Sequence, residues 1–197
     1  MKKSFAYPVL YMIIITITFI TVLASFNYFT IDRIVFNEEN DLRHKILYVF
    51  DILPEGEDPQ EIEEIFNERV IEKQFDDNPG YALMEGNDEV SYAIRFEGSG
   101  LWGSIIGYLG LNDDFTQIIG IEFITQSETP GLGGRISEEP YKEQYRDIEL
   151  DTTEGKYLVS TPDGNVDAIA GATSTSVAVV NILNENLVDF FESAEVD

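Results

Sequence analysis

One uncharged apolar run near the start constrains this chain more than any other feature. From Tyr7 to about Phe29 the sequence YPVLYMIIITITFITVLASFNYF holds no Asp, Glu, Lys or Arg. Inside hydrocarbon, a backbone must satisfy its own polar groups, and a lone segment does so only as a helix. A bilayer core needs ~20 apolar residues in that form, and the run is long enough. Lys2 and Lys3 precede it, which predicts a cytoplasmic N-terminus and an extracytoplasmic remainder. The competing reading is a cleaved signal peptide, with Leu23-Ala24-Ser25 as its small-residue site. Signal cores run to ~7–15 residues, shorter than this one, so a retained single-pass anchor is expected.

Every carboxylate lies beyond that segment. The 197 residues carry 12 Lys+Arg against 37 Asp+Glu, and setting aside Lys2 and Lys3 leaves 10 against 37, a net −27. Phosphates repel such a surface, which excludes nucleic acid and anionic membrane faces as partners. Solubility is the plain role of the charge. There is no cysteine, hence no disulfide, thiol nucleophile or Cys-ligated metal centre. The single histidine, His44, sits in the charged stretch DLRHKI and reads as solvated. A secreted Ser-His-Asp hydrolase would have to use it, and no Gly-x-Ser-x-Gly elbow supports one. No catalytic residue and no metal site are expected.

Past the anchor, Ile34, Leu42, Ile46, Leu47 and Phe50 recur at helical spacing up to Pro54. DPQEIEEIFNERVIEKQF predicts a second helix, capped by Asp58 with Pro59 in its first turn, whose face carries Ile62, Ile65, Val70 and Ile71. From Tyr81 the period becomes that of strands: YALME, EVSYAIRFEG, IIGYLGLN and IIGIEFITQ, broken by Gly86-Asn87-Asp88 and Asn112-Asp113-Asp114. EEPYKEQYRD predicts a short exposed helix with a Glu138–Lys142 pair. KYLVSTPDGNVDAI predicts a hairpin turning at Pro162-Asp163-Gly164. A last helix starts near Ser174, with Val177, Val180, Leu183, Leu187 and Phe190 or Phe191 on one face. The expected fold class is α+β, an antiparallel sheet with flanking helices, preceded by one transmembrane helix and a helical stalk. Its divisions are a cytoplasmic tip and anchor over 1–30, a juxtamembrane stalk over 31–78 and an extracytoplasmic domain over 79–197.

Three glycine-rich stretches draw the functional question. SETPGLGGR, residues 127–135, follows a strand and suits either a surface loop or a backbone that approaches a ligand closely with exposed amides. GLWGS, residues 100–104, holds the only Trp between glycines, and Trp102 fits a core position or an aromatic wall beside a planar ligand. DAIAGATSTS, residues 167–176, runs a small-residue turn into Thr173, Ser174, Thr175 and Ser176. One N-cap needs one hydroxyl. A helix start also offers free N–H groups and a positive dipole end, which together receive phosphate.

Together, GLWGSIIGYLGL, SETPGLGGRI and DAIAGATSTS resemble the FMN-binding domain shared by two ion-pumping respiratory complexes. It occurs in the C subunit of the sodium-translocating NADH:quinone reductase and in the G subunit of the Rnf ferredoxin:NAD oxidoreductase. The resemblance spans roughly residues 80–191, and the single N-terminal anchor agrees with it. It implies FMN joined through its phosphate to the Thr of Gly-Ala-Thr, here Thr173, with Asp167, Gly171, Ala172 and Ser174 beside it. This chain has Ala170 where the motif usually has Ser or Thr. The resemblance also implies that Glu128, Thr129, Leu132 and Gly133 lie beside the isoalloxazine, with Leu101 and Trp102 lining it too. Attachment implies a flavin transferase that uses FAD and magnesium.

What the resemblance implies is a membrane-anchored, extracytoplasmic electron carrier. It would be one subunit of a complex that drives Na⁺ or H⁺ across the membrane, with the other membrane subunits as partners. Backbone amides of the 127–135 loop, rather than net charge, are then expected to tune the flavin. The alternative from another class is a non-redox, membrane-anchored assembly module, which would purify colourless.

Overall fold

The computed structural model describes residues 6–75, 78–150, 158–160 and 164–194. The chain divides into two compact units, Met1–Asp41 and Leu42–Asp197. The first unit belongs to helix α1, which runs from Ala6 to Val49. Within it, Tyr7–Ile31 has a mean hydropathy of 2.4 and is long and apolar enough to cross a membrane. Several hydroxyls in this stretch bond to carbonyls one turn back. Thr18 reaches Ile14 O at 2.9 Å, Thr21 reaches Ile17 O at 2.8 Å and Ser25 reaches Thr21 O at 2.7 Å. Each such polar group is therefore satisfied locally, as an apolar medium requires.

In the second unit, five strands form one antiparallel sheet in the order β1-β2-β3-β4-β5. They are β1 (Val70–Phe75), β2 (Asn78–Glu85), β3 (Asp88–Ser99), β4 (Ser104–Asn112) and β5 (Ile118–Thr125). Each strand pairs with its sequence neighbour, so short turns suffice. Gly86 at φ +67° makes the β2–β3 turn. Asn112 makes the β4–β5 turn, its Oδ1 accepting from Thr116 N and Gln117 N, both at 2.9 Å.

The four strands expected from sequence are present; β1 is the correction. The helix capped by Asp58 ends early, as α2 (Pro59–Arg69), with Asp58 Oδ1 accepting from Gln60 N at 2.9 Å. The residues after it pair with β2, from Val70 opposite Leu83 to Phe75 opposite Asn78. Local periodicity continues the helix, whereas sheet pairing and the β-branched Val70-Ile71 claim the backbone for a strand. Ile71, expected on the helix's buried face, is consequently exposed.

Alternation along the strands gives the sheet two covered faces. On one face Ile94, Phe96, Leu109, Leu111 and Ile121 pack under α4 (Thr173–Ala194) and residues 136–150. On the other face Tyr81, Leu83, Ala93 and Tyr108 pack on Ile46, Leu47, Val49 and Phe50 at the end of α1 and on Ile62 of α2. Residues 42–75 of the expected stalk thus lie in the same compact unit as the sheet. Helix α4 sits hard on β3. A Cβ on Gly98 would fall 2.5 Å from Ile182 Cγ1, and Asn186 both accepts from Glu97 N at 3.2 Å and donates to Glu97 O at 3.1 Å. Val180, Leu183 and Leu187 of α4 are buried as expected, but Val177 is exposed.

The short helix expected to be exposed is amphipathic instead. It comprises α3 (Glu139–Lys142) and a 3₁₀ turn, Glu143–Tyr145. Tyr141 and Tyr145 are buried, their hydroxyls 2.9 Å apart. Lys142 pairs with the buried Glu122, not with Glu138, which accepts from Arg135 Nε at 3.1 Å. Glu122 offers a desolvated partner, which outcompetes an exposed pair worth at most ~1 kcal/mol. The hairpin expected at 162–164 falls partly outside the described residues. Its described ends carry one isolated bridge, Ser160 with Val166, and that bridge is parallel.

Tyr48, near the end of α1, donates to Glu143 Oε1 at 2.5 Å, and Arg146 Nε donates to the same carboxylate at 3.0 Å. Burial, with Glu143 beside it, pushes the Tyr48 hydroxyl well above its usual pKa. Burial alone would raise Glu143, but its hydrogen bonds from Tyr48 and Arg146 outweigh this and hold it below the usual carboxylate value. A depressed carboxyl stabilises the fold above its unfolded pKa of about 4.3 and loses that effect as pH falls through the folded value. In acid titrations of unfolding, Glu143→Gln should therefore lose less stability than wild type below about pH 4.

Candidate functional site

Antiparallel pairing brings three segments to one end of the sheet. The β3–β4 register ends with Ser99 opposite Ser104, and Ile106 of β4 lies opposite Thr125 at the end of β5. The hairpin tip at 100–103 and the loop at 127–135 therefore emerge side by side. The first turn of α4 meets them. Ten of the eleven site residues expected from sequence line one cleft there: Leu101 and Trp102 from the tip, Glu128, Thr129, Leu132 and Gly133 from the loop, and Gly171, Ala172, Thr173 and Ser174 from the helix start. Thr175 joins them. The cleft encloses about 480 Å³, within the range of small-molecule sites.

The eleventh residue, Asp167, lies elsewhere. It is exposed and lines a neighbouring hollow with Arg135, Tyr141 and Gln144, and its N–H donates to Gln144 Oε1 at 2.7 Å. Ala168, Ile169 and Ala170 of the same hollow separate it from the turn at Gly171.

The four hydroxyls divide their work. Ser176 is fully buried; its Oγ accepts from Ile169 N at 3.0 Å, which ties the incoming chain to the helix start. Thr175 is also buried and donates to Glu128 Oε2 at 2.7 Å. Thr173 and Ser174 are exposed in the cleft. Gly171 turns the chain into the helix at φ +81°, a left-handed conformation that side chains disfavour. The last hydroxyl, Ser176, thus braces the turn before the helix, and Thr173, the first, stands clear of that bond.

Three apolar residues lining the cleft are open to solvent. Trp102 is 69% exposed, Leu101 58% and Leu132 46%. Trp102 is not in the core; it lines the cleft. The tip is a tight turn, with Gly100 N donating to Gly103 O at 2.8 Å. Its two central amides donate to Glu128 Oε1, Leu101 N at 2.7 Å and Trp102 N at 3.1 Å. Glu128 is itself buried. The loop spends many of its own donors internally. Leu132 N and Gly134 N both reach Thr129 O, Arg135 N reaches Leu132 O, and Glu128 N reaches Gln126 Oε1. Fewer amides are left facing the cleft than the glycine content suggests. The bond between Glu128 and Thr175, absent from any local pattern, had no signal in the sequence beyond the excess of hydroxyls.

Fold and cleft together define a class: a meander sheet with a small-molecule cleft where a hairpin tip, a glycine loop and a helix start meet. Solved structures share the fold. NqrC of Shewanella oneidensis superposes with a TM-score of 0.66 at 19% identity, over 81% of this chain and 99% of that one. The C subunit of the Na(+)-translocating NADH-quinone reductase from Parabacteroides distasonis gives 0.63 at 24%, over 80% and 93%. A sequence model described as the FMN-binding domain matches residues 100–188, which contain the whole cleft. The G subunit of the ion-translocating oxidoreductase complex from Methanosarcina acetivorans is 34% identical over 134 residues, 65% of this chain and 69% of that protein. The C subunit of the Na(+)-translocating NADH-quinone reductase from Pasteurella multocida is 34% identical over 95 residues, 45% of this chain but only 36% of that protein. The chain belongs to the FMN-binding domain family of these subunits.

Gly133 has no room for a side chain. An added Cβ would stand 2.6 Å from Thr175 Oγ1 and 2.8 Å from Glu128 Oε2. Overpacking of this kind costs about 1–3 kcal/mol, so Gly133→Val should lower the thermal midpoint by several degrees in a melting curve.

Proposed function

We propose that this chain carries FMN, esterified through its phosphate to Thr173, and passes electrons as one subunit of a membrane complex of the Rnf or sodium-translocating NADH:quinone reductase kind. One observation carries the reading: a single cleft is lined both by the exposed Thr173 at a helix start and by the exposed Leu101, Trp102 and Leu132. An exposed Trp beside two exposed leucines is unusual on a soluble face, and a flat ring system is what such a wall accommodates.

The residues present suit the group. The first turn of the 22-residue α4 presents unpaired N–H groups and the positive end of its dipole. A phosphodiester there gains ~0.3–1 kcal/mol when exposed and up to ~2 kcal/mol when partly buried. Gly171 at φ +81° lets the chain turn sharply beside that position. No Cys or cleft His competes as an attachment point, and a phosphate-linked flavin requires neither.

When bound, FMN supplies the one- and two-electron chemistry that no side chain here supplies. The protein's part is to bind, orient and shield. Thr173 fixes the phosphate end. Trp102, Leu101 and Leu132 exclude water from one side of the cleft. Thr129 and Gly133 complete its floor. Asp167, outside the cleft, is omitted from the set that contacts the flavin. Glu128 spends its carboxylate on the hairpin tip and Thr175, so it acts as scaffold.

Tyr7–Ile31 serves as a retained anchor, with Lys2 and Lys3 on the cytoplasmic side and the flavin domain outside. Maturation requires a flavin transferase using FAD and magnesium, and the working partners are the other membrane subunits of the complex. Relatives are named both as sodium- and as proton-translocating, and either ion is compatible with this subunit.

In-gel flavin fluorescence of the denatured full chain, matured in a host with a flavin transferase, tests the bond. A fluorescent band is expected, with the added mass of FMN in intact-mass spectra. Thr173→Ala should abolish both. A band that persists in that variant overturns the assignment, and a colourless wild-type protein supports the assembly-module alternative.

A further inference from the structure

We propose that Glu128 is the positioning residue of the cleft: it holds the Trp102 wall in register with the helix start that carries Thr173. The proposal rests on the FMN reading above and concerns how the site is assembled.

Glu128 is an anomaly in this chain. Of the acids, it and Glu122 are the two buried ones among the described residues. Glu122 has Lys142 as its counter-ion. Glu128 has no cation in salt-bridge range among the described residues, and meets only neutral donors: two backbone amides and one hydroxyl. Burying a carboxylate against dipoles alone is a poor way to stabilise a fold, since an apolar residue would fill the space without desolvating a charge. The arrangement asks for another explanation, and its connectivity supplies one.

Each oxygen has a separate task. Oε1 accepts from Leu101 N and Trp102 N, both in the hairpin tip. Oε2 accepts from Thr175 Oγ1 in the first turn of α4. One carboxylate on the 127–135 loop therefore joins the other two segments, which are otherwise far apart in sequence. Two glycines make the slot. A Cβ on Gly100 would stand 2.6 Å from Oε1, and one on Gly133 would stand 2.8 Å from Oε2. The two glycines leave room for the planar Glu128 head group and none for side chains of their own. Trp102 is 69% exposed and so has little packing of its own to fix it. Its backbone N–H bond to Glu128 is the fixed point from which its ring projects.

A glutamine can reproduce the pattern. Its Oε1 can accept both amides while its Nε2 donates to the Thr175 hydroxyl, which then acts as acceptor. Alanine cannot. The pair Glu128→Gln and Glu128→Ala thus separates positioning from mere volume and charge.

Trp102 is the only Trp in the chain, so its emission reports on the wall alone. The experiment compares that emission in FMN-loaded and unloaded full chain, purified in detergent. Wild type should be strongly quenched on loading, and Glu128→Gln equally so. Glu128→Ala should emit roughly two-fold more at the same flavin-to-protein ratio, since a loosened supporting shell lets the wall leave its place. Quenching in loaded Glu128→Ala equal to wild type would overturn the proposal, as would failure of Glu128→Gln to restore it. Should Glu128→Ala fail to fold or load, Thr175→Val cuts only the link to α4. Trp102 anisotropy in the unloaded Thr175→Val protein should fall below wild type, and an unchanged value overturns the proposal. That last measurement needs no flavin, so it still reads Glu128's role if wild type proves colourless and the FMN reading fails.

Discussion

The pairing of β3 with β4 is the constraint from which the rest of the second unit follows. Nine residue pairs run from Ser91 opposite Asn112 to Ser99 opposite Ser104. A slip of β4 by one residue against β3 would turn Leu109 and Leu111 away from α4 and put Tyr108 in their place. The same register decides where the tip emerges. It delivers Leu101 and Trp102 beside the end of β5, and so beside the loop that contains Glu128. Core and cleft are therefore consequences of one ladder, and neither can be altered without the other.

Much of this could be read from the residues. The apolar run, the four strands from Tyr81 onward, the Asp58 cap and the helix beginning near Ser174 all rest on local period and turn chemistry. The three glycine stretches were identifiable as one site because they resemble a known family; spacing alone left each of them with a plain structural reading. What escaped was non-local. The pairing that makes Val70–Phe75 a strand belongs to β2, so a window over residues 58–75 sees only a helix. Lys142 chooses Glu122 over Glu138 because β5 passes beneath it. Asp167 is separated from the Gly171 turn by Ala168, Ile169 and Ala170, and the chain's path there turns it into a different hollow.

The hydroxyl run shows the same lesson at the scale of one helical turn. Four adjacent side chains look interchangeable in sequence. A helix advances ~100° per residue, so they point in four directions. Two directions face the core, where Thr175 finds Glu128 and Ser176 finds Ile169. The other two face the cleft. Geometry separates scaffold hydroxyls from the available ones without any difference in their chemistry.

The seat of Ile182 against Gly98 carries a consequence for the reach of that helix. The contact acts as a detent: Ile182 lies nine positions beyond Thr173, a span of ~13.5 Å along the axis. With Asn186 gripping Glu97 one turn further on, the helix can neither slide nor spin. Deleting a single residue between the two points would retract the leading hydroxyl by ~1.5 Å and swing it through ~100°, out of the cleft entirely. The spacing from Thr173 to Ile182 is thus a ruler, and its length in residues is as much a part of the site as the hydroxyl at its end.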